Sequence, residues 1–234
     1  MAIAVVGVGT QQNSASFITP PYPGGYTAIA NHIALTFVES GSADTVTPPT
    51  NWVTLGSVNV TTGSFPTKLS VLWRRLTASE AAPTIADAGD HMVGQMMVVS
   101  GCVTSGNPWE ALSQTTELTA DTSVSIPGGT TTVNGALWIA VFGTGQDVAS
   151  TNGVNATWAN ASLTNLTERM DIWTSTGGGG GFAMVTGEKA TAGAVSATTA
   201  TLTLTANFKT LISFALKPEP AAVIPSLVIP SRWY

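Results

Sequence analysis

The chain has 234 residues, of which 44% are hydrophobic and only 9% charged, and its formal net charge is −5. This length and apolar content allow one large buried core. The acidic balance, with Arg74 and Arg75 as the one adjacent basic pair, excludes the clustered positive charge that binding to nucleic acid requires.

The first 25 residues are predicted to form an N-terminal arm or an edge strand (1–25). Residues 2–9 are apolar, and residues 10–25 carry the turn signals Pro20-Pro21 and Pro23-Gly24-Gly25. The apolar stretch lacks the basic region and cleavage motif of a secretory signal. Cys102 is the only cysteine, which excludes an internal disulfide framework and fits folding in a reducing cytoplasm.

Four strands are predicted in the first half: residues 32–39, 52–60, 68–76 and 91–100. Residues 32–39 are a short apolar run before Ser40-Gly41, which is typical of a strand covered on both faces. Residues 68–76 alternate well enough to predict a half-buried strand. Residues 109–120 are predicted to be a connection to the second half.

The second half repeats this order. Residues 136–143, Ala-Leu-Trp-Ile-Ala-Val-Phe-Gly, correspond to the run at 32–39. The other correspondences are 157–163 with 52–60, 182–188 with 68–76, and 201–216 with the end of the first half. Alternating Thr and Leu at 201–205 predict a strand with one wet face. A near-repeat of this length predicts two sheets built from equivalent strands.

These patterns predict an all-β protein, a β-sandwich or jelly-roll-like fold built from two similar halves, with the sandwich domain at 26–217. Many short strands with Gly, Pro and Asn turns are typical of such folds. No apolar period of 3.6 residues persists, so helix content should be small. No run approaches the roughly 20 apolar residues needed to cross a bilayer, so we expect no membrane partner.

Residues 218–234 are predicted to be an extended apolar docking tail. Prolines interrupt this segment too often for a central strand, and it is too apolar to remain in water. Burial against a surface is worth roughly 1.5 to 3 kcal/mol for each large apolar side chain. The side chains expected to dock are Val223, Ile224, Leu227, Val228, Ile229, Trp233 and Tyr234.

Few residues point to catalysis or metal binding. His32 and His91, the only histidines, each stand at the polar start of an apolar strand, and no zinc-type spacing accompanies them. We expect strand-end histidines with local hydrogen bonds. Asp87 and Asp90 could build one calcium turn, but the calcium-loop series of alternating acids is missing, and a turn entering the next strand is the simpler interpretation. We therefore predict no metal and no cofactor.

Three further sets of residues are candidates for a catalytic or ligand-binding role. Paired carboxylates for glycoside hydrolysis could come from Glu39, Glu80, Glu110, Glu117, Glu168 and Glu188, but the sequence alone brings no two to the required separation. The five glycines at 177–181 lack the Lys-Ser or Lys-Thr of a phosphate loop, so we interpret them as a flexible turn. Most tryptophans fall inside apolar strands and should be core rather than sugar platforms. We assign no catalytic residue and expect a protein that is not an enzyme.

Two stretches resemble repeated-strand proteins of tailed bacteriophages and prophage regions. They are 47–55, Thr-Pro-Pro-Thr-Asn-Trp-Val-Thr-Leu, and 69–84, Leu-Ser-Val-Leu-Trp-Arg-Arg-Leu-Thr-Ala-Ser-Glu-Ala-Ala-Pro-Thr. In those proteins a Pro-Pro-x-x-Trp loop and an Arg-x-x-Thr-Ala-x-Glu-Pro-like turn recur, and the second half ends in an Ala-Leu-Lys-Pro-like stretch, matched here by 215–218. The resemblance implies a virion β-sandwich, and it carries over no catalytic residue.

The expected function is a phage virion structural protein. Its most specific form is a capsid decoration protein on the head surface, with a tail or baseplate component as the nearest variant. Its partners would then be other virion proteins of the capsid or tail, with the chain itself a homo-oligomer or present in many copies, and with assembly in the host cytoplasm. The alternatives are a carbohydrate-binding adhesion module that takes a host glycan, and a depolymerase.

Overall fold

The structure, a computed structural model, describes residues 2–41, 45–63, 65–86, 89–147 and 155–220, and none of these residues is helical. The strands of the first half are β1 (Ala4–Val8), β2 (Gln12–Ser14), β3 (Phe17–Ile18), β4 (Ile33–Gly41), β5 (Val53–Val60), β6 (Thr67–Arg75), β7 (Ile85–Ala86) and β8 (Met92–Ser100). The strands of the second half are β9 (Trp109–Glu117), β10 (Asp121–Ile126), β11 (Gly129–Thr131), β12 (Ala136–Thr144), β13 (Asn155–Ala159), β14 (Thr164–Thr174), β15 (Gly180–Lys189), β16 (Gly193–Val195), β17 (Thr198–Ala206) and β18 (Lys209–Leu216). The all-β prediction is confirmed.

Two antiparallel sheets form the sandwich. The first has the strand order β1-β8-β4-β6-β5, with the short β2 also paired to β8, and the second has the order β9-β18-β12-β15-β14. Each sheet is drawn from one half of the chain, and the two strand orders correspond position by position. β4 and β12 therefore occupy the same central place in their sheets.

The central strands are buried on both faces, as their apolar runs predicted. Every residue of β12 is buried, and so is every residue of β4 except the terminal Gly41. A strand that is packed on both faces has no solvent-exposed side, so its sequence is a continuous apolar run instead of an alternating one. The two runs that stand out in the sequence are the centres of the two sheets.

The main core lies between the two sheets. Leu35 and Phe37 of β4 belong to one apolar cluster with Ile139 and Val141 of β12. Phe37 also meets Phe182 of β15, with ring centroids 6.2 Å apart, a common spacing for tilted aromatic pairs. Period-two alternation sends the intervening residues of each strand to the outer face of its own sheet.

Each outer face has its own cover. A three-stranded sheet, β10-β17-β13, packs on the outer face of the second sheet, where Leu202 belongs to one apolar cluster with Trp138 and Phe142. Leu202 is buried while Thr201 and Thr203 are exposed, so the predicted wet face of this strand is confirmed. The outer face of the first sheet is covered by β3, β7 and loop residues such as Trp52.

This second layer corrects the expectation for residues 68–76. The strand there, β6, was predicted to be half buried, but Ser70 and Leu72 on its outer face are as buried as Leu69 and Val71 on its inner face. Leu72 packs in the cluster beneath the loop cover. The alternation of residues within β6 gives no information on the distant loops that cover its outer face.

Two strand assignments in the second half also differ from the sequence expectation. Residues 109–117 are the edge strand β9 and not a connection. Residues 155–159 belong to the outer cover, and the position equivalent to β5 is held by β14 at 164–174. Edge and cover strands carry many polar side chains, so they lack the apolar run that identifies a central strand.

The two sheets are joined along both sides by side-chain hydrogen bonds. On one side, the backbone N–H of Ser57 donates to Gln114 Oε1 at 2.8 Å. On the other, Asn13 Nδ2 donates to Thr174 Oγ1 at 2.9 Å, and Gln11 Nε2 donates to the Trp173 carbonyl at 2.8 Å. The sandwich is therefore tied at both margins of its core.

Candidate functional site

The C-terminal segment leaves the sandwich through a short antiparallel ladder, which we call the exit anchor (residues 101–108 with 217–219). The N–H of Lys217 donates to the Pro108 carbonyl at 2.8 Å, the N–H of Val103 donates to the Lys217 carbonyl at 3.1 Å, and the N–H of Glu219 donates to the Gly101 carbonyl at 2.8 Å. The last described residues are thus held by the connection between the two halves.

Side chains reinforce the exit anchor. Arg75, at the end of β6, donates from Nη1 to the Val103 carbonyl and from Nη2 to the Gly106 carbonyl, the latter at 3.0 Å. Glu219 Oε2 accepts the backbone N–H of Thr104 at 2.7 Å. A guanidinium presents several donors in a fixed fork, so Arg75 can hold two carbonyls of one loop at once. The exit anchor is therefore tied to the first sheet as well as to the second.

Two grooves flank the exit anchor. The first, the exit groove, has a volume of about 430 Å³ and apolar walls from Ile3, Val133, Leu137, Ala190 and Pro218. The second has a volume of about 460 Å³ and is more polar, with Thr104, Ser105 and Asn107 in its lining. Pro220 borders both grooves. Pro220, the last described residue, therefore lies between an apolar and a polar concave surface.

The predicted docking residues themselves, Val223, Ile224, Leu227, Val228, Ile229, Trp233 and Tyr234, lie outside the described residues. The structure describes only residues 218–220 of the predicted tail, and these are held in the exit anchor. The sequence did not indicate the anchor, because Arg75 and the loop at 101–108 are far apart in the chain and no local pattern relates them.

A buried charged cluster, the histidine cluster (Glu39, Thr67, Asp90 and His91), lies at the opposite ends of β4 and β8 from the Arg75 end of the sheet. His91 Nδ1 donates to Asp90 Oδ1 at 2.7 Å, and His91 Nε2 lies 3.4 Å from Glu39 Oε2. Thr67 donates its hydroxyl to Glu39 Oε1 at 2.8 Å. The expected local hydrogen bond of His91 is present, but the second carboxylate comes from β4, 52 positions earlier in the chain.

The charges of the histidine cluster fit one another. Burial alone lowers the pKa of His91, but hydrogen bonds and charge from Glu39 and Asp90 outweigh burial and raise that pKa to about 9. Burial raises the pKa of Asp90, yet hydrogen bonds from His91 and the Gly178 N–H dominate and lower it. At neutral pH the cluster is a protonated imidazole between carboxylates, the arrangement that a buried cation requires.

The five glycines at 177–181 span the turn between β14 and β15 and the start of β15, so the predicted turn is confirmed, and the turn closes over this cluster. The N–H of Gly178 donates to Asp90 Oδ2 at 2.7 Å. A Cβ at Gly177 would lie 2.3 Å from the Asp90 carbonyl oxygen, and one at Gly180 would lie 2.3 Å from Glu39 Oε2. These glycines are required by close packing of the β14–β15 turn of the second sheet against the first sheet.

The histidine cluster supports packing better than catalysis. Glu39 has no exposed surface and His91 is 2% exposed. The adjoining cavity has a volume of only about 100 Å³ and is lined mainly by glycine, Phe65 and Pro66 beside the cluster. The buried imidazole and the Gly178 contact fit a packing role between the two sheets.

A second charged cluster holds the outer cover to the second sheet. Lys209, at the start of β18, is fully buried and donates to Glu117 Oε1 at 2.5 Å, to Asp121 Oδ1 at 2.8 Å and to the Thr119 carbonyl at 2.9 Å. The hydrogen bond from Lys209 lowers the pKa of Asp121. A groove of about 570 Å³ beside it is lined largely by Thr and Ser hydroxyls, without an aromatic side chain.

The remaining candidate carboxylates have separate partners. Glu80 pairs with Arg74, Glu110 accepts hydrogen bonds from the Thr132 N–H and hydroxyl, and Glu168 accepts the indole N–H of Trp158 at 2.6 Å. Glu188 is exposed at the edge of the exit groove. The structure therefore distributes these carboxylates among unrelated contacts and does not place them as a facing pair in one cleft.

The other sequence candidates are placed as follows. His32 contacts the Tyr26 hydroxyl at 3.0 Å through Nδ1. Asp87 lies outside the described residues, and within the described ranges no group of three or more His, Cys, Asp or Glu side chains is arranged to hold a metal ion. Trp52, Trp138 and Trp173 are buried, which confirms their assignment to the core, and Trp233 is not described. Burial raises the pKa of the Cys102 thiol to about 12.

No helix in the described part of the chain has the length and apolar character to cross a bilayer. Comparison with family models, with curated proteins and with solved structures gives no match.

Proposed function

We propose that this protein is a structural component of a tailed-bacteriophage virion, most specifically a decoration protein on the capsid surface, which binds the particle through its C-terminal apolar segment. The observation that carries the docking part is the exit anchor. Hydrogen bonds from three directions present the start of an apolar, proline-interrupted segment at a fixed place on a rigid sandwich. The phage part is supported by the resemblance of residues 47–55 and 69–84.

The surface and the buried charges agree with this proposal. Only 9% of the residues are charged, so the exposed faces of β10 and β17 are mostly Ser and Thr hydroxyls. The buried charged groups Glu39, His91 and Lys209 belong to clusters that reach the neighbouring layer through Gly178 and Asp121. A scaffold of this kind supplies rigidity and leaves recognition to what it presents at its ends.

The proposed partners are other virion proteins, and the proposed location is the assembled particle, formed in the host cytoplasm. A tail or baseplate component is the nearest variant, because the same exit anchor could serve any multi-copy assembly. Labelling of the protein in intact particles, followed by electron microscopy, distinguishes a capsid position from a tail position.

The test is incorporation of a chain truncated after Pro220. This truncation keeps every described strand and the exit anchor. The free energy of unfolding of the truncated chain should therefore stay within about 1 kcal/mol of that of the full chain. Particles assembled without the native protein should take up the full chain but not the truncated one. A matched full-length variant, S226A/S231A, alters two polar residues of the segment and should be incorporated normally.

Undiminished incorporation of the folded, truncated chain would refute docking through the segment. If the truncated chain instead bound a host glycan on an array, the adhesion-module alternative would replace the virion proposal. Circular dichroism of the truncated chain and of the S226A/S231A variant shows whether each is folded. Loss of incorporation counts for docking only if the truncated chain is folded.

A further inference from the structure

The exit groove is the more apolar of the two grooves described beside the exit anchor, and the chain itself supplies a segment that matches it. Ile3, Val133, Leu137, Ala190 and Pro218 form its walls, and Glu188 and Glu219 are its charged residues. Ile3 and Val133 are half buried and Ala190 is exposed, so apolar surface remains accessible in the groove. Such surface is stabilised when an apolar group covers it.

The segment after Pro220 has a repeated apolar pattern. Val-Ile-Pro-Ser occurs at 223–226 and again at 228–231, five positions later, and Arg232 is the only charged residue between 221 and 234. One copy of the repeat is therefore close to the exit anchor and the other is farther away.

Chain length allows the first repeat to reach the groove. Pro220 borders the groove, and each residue spans at most about 3.6 Å, so Val223 and Ile224 lie within about 11 to 14 Å of Pro220. A tether this short gives an effective concentration on the order of millimolar, without the translational entropy that a separate molecule would lose. The second repeat can reach much farther from the same anchor.

We propose that the first repeat, with Val223 and Ile224 as its apolar contacts, binds the exit groove of its own chain. This inference goes beyond the proposed function. It divides the segment into an intramolecular part at 221–225 and a distal part at 227–234, and under the proposed function only the distal part remains to contact the particle. The intramolecular part extends the exit anchor by one apolar contact.

Disulfide trapping in the free protein tests the proposal. The native Cys102 is 2% exposed and its thiol pKa is raised to about 12, so introduced cysteines report without interference. In the pair A190C/A222C, mild oxidation should form an intramolecular disulfide at least tenfold faster than in the control pair T199C/A222C. Thr199 lies on the exposed face of β17 and does not line the exit groove.

Charge substitutions show whether the disulfide forms because the first repeat binds the groove or only because the chain is short. Adding V223D/I224D to the A190C/A222C pair should slow the disulfide at least tenfold, whereas adding V228D/I229D should leave its rate unchanged. Trapping that survives V223D/I224D would overturn the proposal, and so would disulfides that link two chains. The disulfide assay uses free protein, whereas the proposed function is tested by incorporation into particles. A negative result in one assay can therefore be distinguished from a negative result in the other.

Discussion

The imidazole of His91 lies 3.4 Å from the buried carboxylate of Glu39, and the glycine turn of the other sheet closes over both. His91 precedes β8 and Glu39 belongs to β4, so the contact ties two neighbouring strands of the first sheet. The Gly178 N–H, through Asp90, adds the second sheet to the same cluster. A single protonated side chain therefore contributes to the packing of both halves.

The first prediction concerns alkaline pH. The pKa of His91 is raised from about 6.5 to about 9, so its stabilising contribution is complete below pH 6.5 and is lost as the pH rises through 9. At about 1.36 kcal/mol per pKa unit, the loss is on the order of 3 kcal/mol. Chemical denaturation between pH 6.5 and pH 10 should show this fall.

The matched control is H91Q, which cannot titrate and should show a flatter profile over the same range. Tyr22 and Cys102 have pKa values raised to about 12, mainly by burial, so both remain neutral below pH 10. An unchanged slope in H91Q would assign the alkaline transition to other groups.

The second prediction concerns coupling within the histidine cluster. Removing one partner of a buried ion pair leaves the other charge uncompensated, which typically costs about 3 to 5 kcal/mol. We therefore expect E39Q and H91Q each to be strongly destabilising, and the double variant to cost at least about 1 kcal/mol less than the sum of the two. Equilibrium unfolding of all four proteins measures this, and additive losses would show that the two residues act independently.

The third prediction concerns the glycine turn. At Gly177 the backbone has a φ of +58°, and an added Cβ would lie 2.3 Å from the Asp90 carbonyl oxygen. G177A should therefore destabilise the protein by about 2 kcal/mol or more. G24A is the matched control, because a Cβ at Gly24 meets no atom within 4 Å. Equal melting temperatures for the two variants would show that close packing does not constrain the backbone at Gly177.

The fourth prediction concerns Lys209. Replacing this buried cation by Met leaves Glu117 and Asp121 without their shared partner, which we expect to destabilise the protein by about 2 kcal/mol or more. Amide hydrogen exchange should increase mainly in β9 and β10, which Lys209 joins. K189M, a change at a lysine that is not fully buried, is the control and should be nearly neutral. A uniform increase across the sandwich would contradict a local role.

The fifth prediction concerns the exit anchor. R75K keeps the positive charge but cannot hold the carbonyls of Val103 and Gly106 with one planar fork. Amide exchange in residues 101–108 and 217–219 should increase several-fold in R75K. R74K, at a residue that pairs with Glu80 instead, should leave exchange in this region unchanged. The idea fails if the two variants exchange alike.

The sequence by itself determined the class of the fold and the centres of its sheets. Residues 32–39 and 136–143 could be recognised because a strand covered on both faces needs apolar side chains at every position. The alternation in β17 likewise identified one buried and one exposed face. Such signals are local, since they depend only on which face of a strand each residue takes.

Only the tertiary structure decided which polar residues meet. β9 was mistaken for a connection because an edge strand has no apolar run, and the outer faces of β6 became buried because distant loops cover them. Glu39, His91 and the glycines at 177–181 lie 52 to about 140 positions apart, as do Arg75 and Glu219, so no local pattern could join them. The alternation of residues along a strand determines which face of the sheet each side chain takes. The order of the strands and the packing of the two sheets determine which distant residues it contacts.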